Sequence, residues 1–194
     1  MPIIKKSFVN LVEESLHVPA HTHMQLYCLQ MGSRGHLTVS LDGEGARADI
    51  QVAYLSDTQH ANDFTCEVYH KASQTISHQN IVGGAAQAGQ AHINSLIHIQ
   101  EGVARCEGYQ QHKGLLLSPD ALISCVPELN IYAEDVICTH GSAIGALDKL
   151  ALFYMCSRGL SEQEAKKMLL LGFFDIGFEK EALQQIEKWV ESYV

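Results

Sequence analysis

Short strand-like runs recur between about residue 8 and residue 140, and they constrain the fold more than any other feature of this chain. The runs are rich in β-branched and aromatic residues, and many alternate with polar side chains. Turn formers such as Gly43-Glu44-Gly45, Gly83-Gly84 and Glu101-Gly102 separate them. This pattern fits a β-sandwich, a β-barrel or a β-solenoid. The clearest runs are residues 26–29, 36–41, 49–55, 64–69, 75–82 and 92–99.

The period changes to that of helices after Gly145. Residues 146–158 read as a helix with Gly159 at the C′ position. Ser161-Glu162-Gln163-Glu164 is a capping box that begins a second helix, residues 162–171. Residues 179–193 form a third, amphipathic helix. We therefore expect a β unit over residues 1–143 and a small α-helical domain over residues 144–194.

Composition excludes several classes of protein. A net charge of −9 with only 13 basic residues argues against a partner with a phosphate backbone, so we expect no nucleic-acid binding. No apolar run reaches the roughly 18 residues that a membrane helix needs. The first residues lack the apolar core of a secretory signal, so we expect a cytoplasmic protein. The six dispersed cysteines are then free thiols.

The run Cys138-Thr139-His140-Gly141 places a thiol and an imidazole two residues apart in a strand-like segment. Side chains alternate along a strand, so Cys138 and His140 should share one face. Such a pair can bind a soft metal, activate a nucleophile or pack between sheets. The spacing alone leaves these three alternatives open.

Two long segments resemble the C-terminal part of the SufB and SufD proteins of iron–sulfur cluster assembly. They are residues 108–118, Gly-Tyr-Gln-Gln-His-Lys-Gly-Leu-Leu-Leu-Ser, and residues 127–141, which begin Pro-Glu-Leu-Asn-Ile-Tyr-Ala-Glu-Asp-Val. The similarity extends from about His70 to residue 178 and includes residues 153–161. The chain is identified as a SufD-like member of this family, because Cys138-Thr139-His140-Gly141 is similar to the Cys-Ser-His-Gly run of SufD.

The resemblance implies a fold and a role. The fold is mostly β, a right-handed parallel β-helix followed by a small helical domain. The role is that of a non-catalytic subunit that pairs along its strands with a SufB- or SufD-like partner or with a second copy. The C-terminal helices would bind a SufC-like ABC-type ATPase, and an iron–sulfur cluster would be a transient cofactor. The absence of a GxxxxGK[ST] phosphate loop agrees with a subunit that is not itself the ATPase.

The resemblance also indicates site residues. Cys138 and His140 are expected to handle iron or a cluster, with His112 as a supporting third ligand. The ATPase-docking surface is expected on the helices, at Phe153, Tyr154, Arg158, Leu160, Glu162, Glu164, Phe173 and Phe174.

This sequence departs from the family pattern in three ways. His112 occupies the position of a cluster-related cysteine of SufB, and Gly141 occupies that of a glutamate of SufB. Family members are typically about twice as long, so a shortened homologue is expected.

A different class of protein provides the alternative function. His21 and His23 have the HxH spacing of cupin metal sites, which would make the chain a small metal-dependent enzyme.

Overall fold

The computed structural model describes all 194 residues, and its chain winds back and forth between two parallel sheets. The odd-numbered strands form a six-stranded first sheet and the even-numbered strands a five-stranded second sheet. Every strand pair is parallel. The strands are β1 Ile3–Val9, β2 Glu13–Val18, β3 His23–Met31, β4 Arg34–Leu41, β5 Arg47–Ser56, β6 Asn62–His70, β7 Ile76–Ala85, β8 Gln90–Ile99, β9 Cys106–Leu116, β10 Leu122–Ile131 and β11 Val136–Gly145.

This arrangement is a parallel β-helix, and it confirms the fold that the resemblance implies. All the clear strand-like runs lie within β3 to β8 or begin within a residue of them. Gly45 and Gly102 lie in turns with positive φ, a conformation that glycine adopts at little steric cost. Gly43-Glu44-Gly45 and Glu101-Gly102 therefore mark true corners of the β-helix. The prediction that Gly83-Gly84 marks a turn is wrong, because both glycines lie within β7.

The space between the two sheets holds the main core. In β5, Ile50, Val52 and Tyr54 point inward and are fully buried, and in β6 Phe64 and Val68 meet them from the second sheet. Alternation of inward and outward residues is what a sheet with one buried face requires. Each such aliphatic or aromatic side chain contributes about 1.5–3 kcal/mol when it leaves water.

Three helices follow the last strand: α1 Lys149–Ser157, α2 Glu162–Phe174 and α3 Lys180–Glu191. Gly159 has a φ of 100°, as its C′ position predicts, and the Ser161–Glu164 capping box is formed in both directions. The tail thus contains the helices that its sequence pattern predicts. No helix of this chain combines the length and the apolar character needed to cross a membrane.

Helices α2 and α3 pack on the outer face of the first sheet. Phe174 and Trp189 lie with Leu29, Ala53 and Val82 of β3, β5 and β7 in a second apolar cluster. The Asp57 carboxylate, just after β5, joins the two parts of the fold. Its Oδ2 accepts hydrogen bonds from Trp189 Nε1 at 3.2 Å and from the Tyr193 hydroxyl at 2.7 Å.

Candidate functional site

No strand covers the end of the β-helix that β10 and β11 form, which we call the open end; β1 and β2 are unpaired in the same way at the other end. β11 pairs only with β9, and β10 pairs only with β8. Each therefore presents one edge of ten residues without a backbone partner. Edges of this kind are templates for pairing with another chain. Exposed apolar side chains accompany them: Leu122, Val126, Ile131, Tyr132, Ile137 and Ile144.

Cys138 points into the β-helix at this end. Its partner in register is Gly108, and a Cβ atom built on Gly108 would lie 3.3 Å from the Cys138 sulfur. The side chain packs with Ile97 and Leu129 in a small apolar cluster. Burial raises the pKa of the Cys138 thiol above its ordinary value, although a backbone hydrogen bond from Gly108 lowers it. A metal that binds here has to displace the thiol proton.

His140 lies on the same face of β11 as Cys138, as the two-residue spacing predicts. Cys138 points inward, and Ser142 also points inward because its hydroxyl meets the ring of His112. His140 stands between these two positions, so strand alternation turns it the same way. It is nevertheless exposed, since no further coil covers β11. The inward face of β11 thus presents an accessible imidazole at the open end.

His112 is buried in a chain of polar contacts. Its Nε2 lies 2.8 Å from the Tyr54 hydroxyl, and its Nδ1 lies 3.0 Å from Ser142 Oγ. Burial lowers the pKa of His112 to about 4, so the ring is neutral at neutral pH. On the second sheet, burial raises the pKa of the Cys125 thiol, and a hydrogen bond with Ser142 partly offsets this. The contacts run from Tyr54 through His112 and Ser142 to Cys125.

The three predicted ligands do not converge within one chain. Register pairs His112 with Ser142 and His140 with Gln110, so the two histidines are diagonal neighbours. Both ring nitrogens of His112 already have partners. No three side chains among the histidines, cysteines, aspartates and glutamates are grouped to hold a metal ion. Cys138 and His140 lie on one face of β11. His112 contacts that strand at Ser142 and does not contact either of the other two predicted ligands.

Gln110 is a buried polar residue that the sequence reasoning missed, and it forms a polar rung with Gln79. Gln110 Nε2 donates to Gln79 Oε1 at 3.1 Å, and Gln79 Nε2 donates to the Leu96 carbonyl at 3.0 Å. Gln110 Oε1 is buried and has no hydrogen-bond partner. The two glutamines are 31 residues apart, which is one coil of the β-helix. A comparison of positions one coil apart would have found them.

A concavity of about 400 Å³ crosses β7, β9 and β11 at the open end. Most of its lining residues point to the outside of the first sheet. His78 and Tyr109 stack there with ring centroids 4.9 Å apart, and His78 Nδ1 lies 3.0 Å from Asp49 Oδ1. Cys138 and Ser142 do not line it, but the inward residues Gln79, Gln110 and His140 do. The concavity therefore reaches the polar rung and His140 at the open end.

The predicted docking residues divide into exposed and buried groups. Phe153 and Tyr154 of α1 are 72% and 59% exposed, and the Arg158 guanidinium lies 5.1 Å from the Tyr154 ring centroid. Leu160 and Phe173 are partly buried, and Glu162 and Glu164 are exposed. Phe174 is not part of this surface, because it is only 1% exposed and its ring packs edge-on against Trp189.

The cupin alternative is wrong. Cupins are jelly rolls built from Greek keys, whose strands are antiparallel, whereas every pair here is parallel. His21 lies in the turn before β3 with a φ of 53°, and His23 Nε2 lies 2.6 Å from Asp49 Oδ2. The carboxylate thus occupies one nitrogen of the predicted ligand, and the two histidines do not share a strand.

Comparison with known proteins gives one consistent result. The family model described as "SUF system FeS cluster assembly, SufBD core domain" matches residues 4–173. The iron–sulfur cluster assembly protein SufD of Escherichia coli is 34% identical over 140 residues, which are 72% of this chain and 33% of that protein. SufD of Bacillus subtilis is 25% identical over 136 residues, 70% of this chain and 31% of that protein. A SufBD family protein of Methanothermobacter thermautotrophicus is 33% identical over 100 residues, 52% of this chain and 24% of that protein. The chain spans about a third of the length of the two SufD relatives.

Proposed function

Because this chain belongs to the SufBD core family of iron–sulfur cluster assembly, we propose that it is a non-catalytic, SufD-like subunit of an assembly scaffold. It pairs with a SufB- or SufD-like partner, or with a second copy, through the strands of its open end. It binds a SufC-like ABC-type ATPase through its C-terminal helices. Iron or a nascent cluster is its cargo. The observation that carries the proposal is the uncovered apolar face of α1.

The α1 face has the character of a docking surface. None of the nine residues of α1 is buried, and Leu150 is 79% exposed beside Phe153 and Tyr154. Met168 of α2 adds a further exposed apolar side chain. Soluble monomers rarely expose a large contiguous apolar patch, and aromatic residues with arginine are typical of the centre of protein interfaces. That the partner is an ABC-type ATPase is part of the proposal and rests on the resemblance to SufB and SufD proteins.

Replacing Phe153 by alanine is expected to weaken ATPase binding at least about tenfold, because an aromatic anchor at an interface carries a large share of its binding energy. The free energy of unfolding should change by less than about 0.5 kcal/mol, since the side chain is on the surface. Isothermal titration calorimetry with the SufC-like ATPase of the same organism measures the first effect, and urea unfolding the second. Val12→Ala, an equally exposed apolar residue in the turn between β1 and β2, is the matched control. If the unchanged chain, Phe153→Ala and Val12→Ala bind the ATPase with equal affinity, docking through α1 is refuted.

The two unpaired edges support pairing at the open end. Both strands leave backbone donors and acceptors exposed along one edge, and these groups gain partners when a strand of another chain is added. β11 is the better template, because β10 contains Pro127, which has no N–H group, and the charged Glu128. Ile137 and Ile144 of β11 are exposed beside that edge. Charged residues on an edge oppose such pairing, and β11 has no lysine, arginine, aspartate or glutamate.

Replacing Ile137 by lysine is expected to shift the paired form toward the single chain, because the partner strand would have to desolvate an ammonium group. Sedimentation velocity at matched concentrations, with and without the SufB-like partner, measures the mass. Val12→Lys introduces the same charge at the other end of the β-helix and should pair like the unchanged chain. If both variants pair equally well, the contact lies elsewhere.

Cys138 and His140 are the proposed cargo ligands. Thiolate and neutral imidazole suit iron and other soft or borderline metals. A complete ligand set needs side chains from a second chain, since no three ligand side chains are grouped within this one. Pairing along β11 would bring the partner beside both residues. His112 supports the site from within, through its contact with Ser142.

A further inference from the structure

Gln110 has a buried amide of which only one end is satisfied. The residue is 5% exposed, its Nε2 donates to Gln79 Oε1, and its Oε1 has no partner from either sheet. Buried polar atoms almost always have a hydrogen-bond partner, so an orphaned acceptor calls for a specific explanation. The explanation has to be a donor that reaches the interior next to this side chain.

The direction of the amide indicates where that donor comes from. Its nitrogen is turned toward Gln79 on β7, so its oxygen is turned away from β7. The next rung on the other side of β9 is β11, where His140 is the register partner of Gln110. Neighbouring strands lie about 4.8 Å apart, which places the two side chains within contact of one another.

The other polar groups next to His140 are already engaged. Ser142 Oγ contacts His112 and Cys125, and both nitrogens of His112 are bonded. Cys138 packs against Gly108 and the apolar cluster. His140 is the inward residue of β11 that carries a ring N–H group and forms no hydrogen bond with another side chain, and it is exposed.

We propose that Gln110 is the positioning residue of His140. Its Oε1 accepts one ring N–H of His140, and this turns the other ring nitrogen toward the open end beside Cys138. Metal-binding histidines usually donate their second N–H to a carboxylate, a carbonyl or water, which fixes the tautomer of the ring. The neutral amide suits this purpose, since a ligand imidazole must itself be neutral. This inference rests on the proposed handling of cargo by Cys138 and His140.

The test uses the full chain with Zn²⁺ alone as a diamagnetic probe. Gln110→Met removes the acceptor, and Gln79→Met breaks the same glutamine–glutamine bond from the other end while leaving Gln110 Oε1 in place. Competition with a chromophoric chelator measures the zinc affinity. Long-range ¹⁵N–¹H spectra of the zinc-bound protein show which nitrogen of His140 carries the proton. We expect Gln110→Met to lose about tenfold in affinity or more and the single tautomer of His140, and Gln79→Met to lose neither.

A third variant, His140→Ala, separates failure of this inference from failure of the proposed function. If His140→Ala binds zinc as tightly as the unchanged chain, the cargo site is not at His140, and the positioning role falls with it. If His140→Ala loses zinc but Gln110→Met and Gln79→Met behave alike, only the positioning role is overturned. Should Gln110→Met fail to fold, Gln110→Glu keeps an acceptor oxygen and must retain the single tautomer; a mixture of tautomers there would overturn the inference.

Discussion

Replacing Gly83 by alanine is expected to lower the free energy of unfolding by about 3 kcal/mol or more, at the upper end of what overpacking a core costs. A Cβ atom at this position would lie 1.9 Å from Cζ of Tyr54 and 2.1 Å from each Cε atom. The Tyr54 ring cannot move aside easily, because it is fully buried and its hydroxyl is bonded to His112. Urea unfolding followed by circular dichroism measures the loss.

Gly141→Ala is the matched control for this substitution. Gly141 is also a strand glycine of the first sheet, but a Cβ atom there would have no neighbour within 4 Å. Its unfolding free energy should change by less than about 0.5 kcal/mol. The double variant Tyr54→Ala, Gly83→Ala should cost less than the sum of its single variants, because the small side chain at 54 removes the clash. Additive losses would mean that the Tyr54 ring does not lie against Gly83.

Replacing Asp57 by alanine is expected to cost about 3 kcal/mol of unfolding free energy at pH 7 and to release α3 from the first sheet. The carboxylate accepts hydrogen bonds from Trp189, Tyr193 and the backbone N–H groups of Gln59 and His60, and it contacts the His60 ring. Hydrogen bonds to a charged group are worth about 1.5–3 kcal/mol each, and their loss leaves a buried indole N–H unpaired. Trp189 fluorescence during urea unfolding reports both effects. Asp63→Ala, which removes an exposed carboxylate bonded only to Arg34, should change the stability by less than about 1 kcal/mol.

The effect of Asp57 should depend on pH with a definite sign. Burial raises the pKa of this carboxyl, but hydrogen bonds from Tyr193, the Gln59 N–H and His60 outweigh it and hold the pKa below its ordinary value. A group whose pKa is lower in the folded state stabilises it above the unfolded pKa, about 3.9 for aspartate, and ceases to do so as the pH falls through the folded pKa. The difference between the unchanged chain and Asp57→Ala is therefore expected to be complete at pH 6 and to shrink below about pH 4. A difference that stays constant down to pH 3 would contradict this role of the ionised carboxylate.

The sequence predicts local features of this fold well and its long-range features poorly. The runs at 49–55 and 64–69 are strands because alternation is a property of consecutive residues. The same alternation occurs in sandwiches, barrels and solenoids, so only the family resemblance separated them. β1 was missed because most of its residues are exposed, which leaves no strong alternation to detect.

In the candidate site, too, the sequence predicts the local features and not the long-range ones. The common face of Cys138 and His140 follows from a period of two and needs no knowledge of the fold. The partners of His112 do not follow from it, because they depend on which residues the coil length brings into register. Gln79 lies beneath Gln110 and Ile81 beneath His112 at the same offset of 31 residues, and nothing local in the sequence specifies that offset.

The contact between α3 and the turn after β5 bears on the order in which the chain folds. Trp189 and Asp57 are 132 residues apart, so their contact closes one of the longest loops in the molecule. Coils of a β-helix gain most of their contacts from adjacent coils and can form one after another as the chain leaves the ribosome. Helix α3 can dock only after β3, β5 and β7 have formed, because these strands supply the apolar residues against which it packs. A chain with misfolded early coils therefore cannot dock α3 and leaves Trp189 exposed to chaperones and proteases.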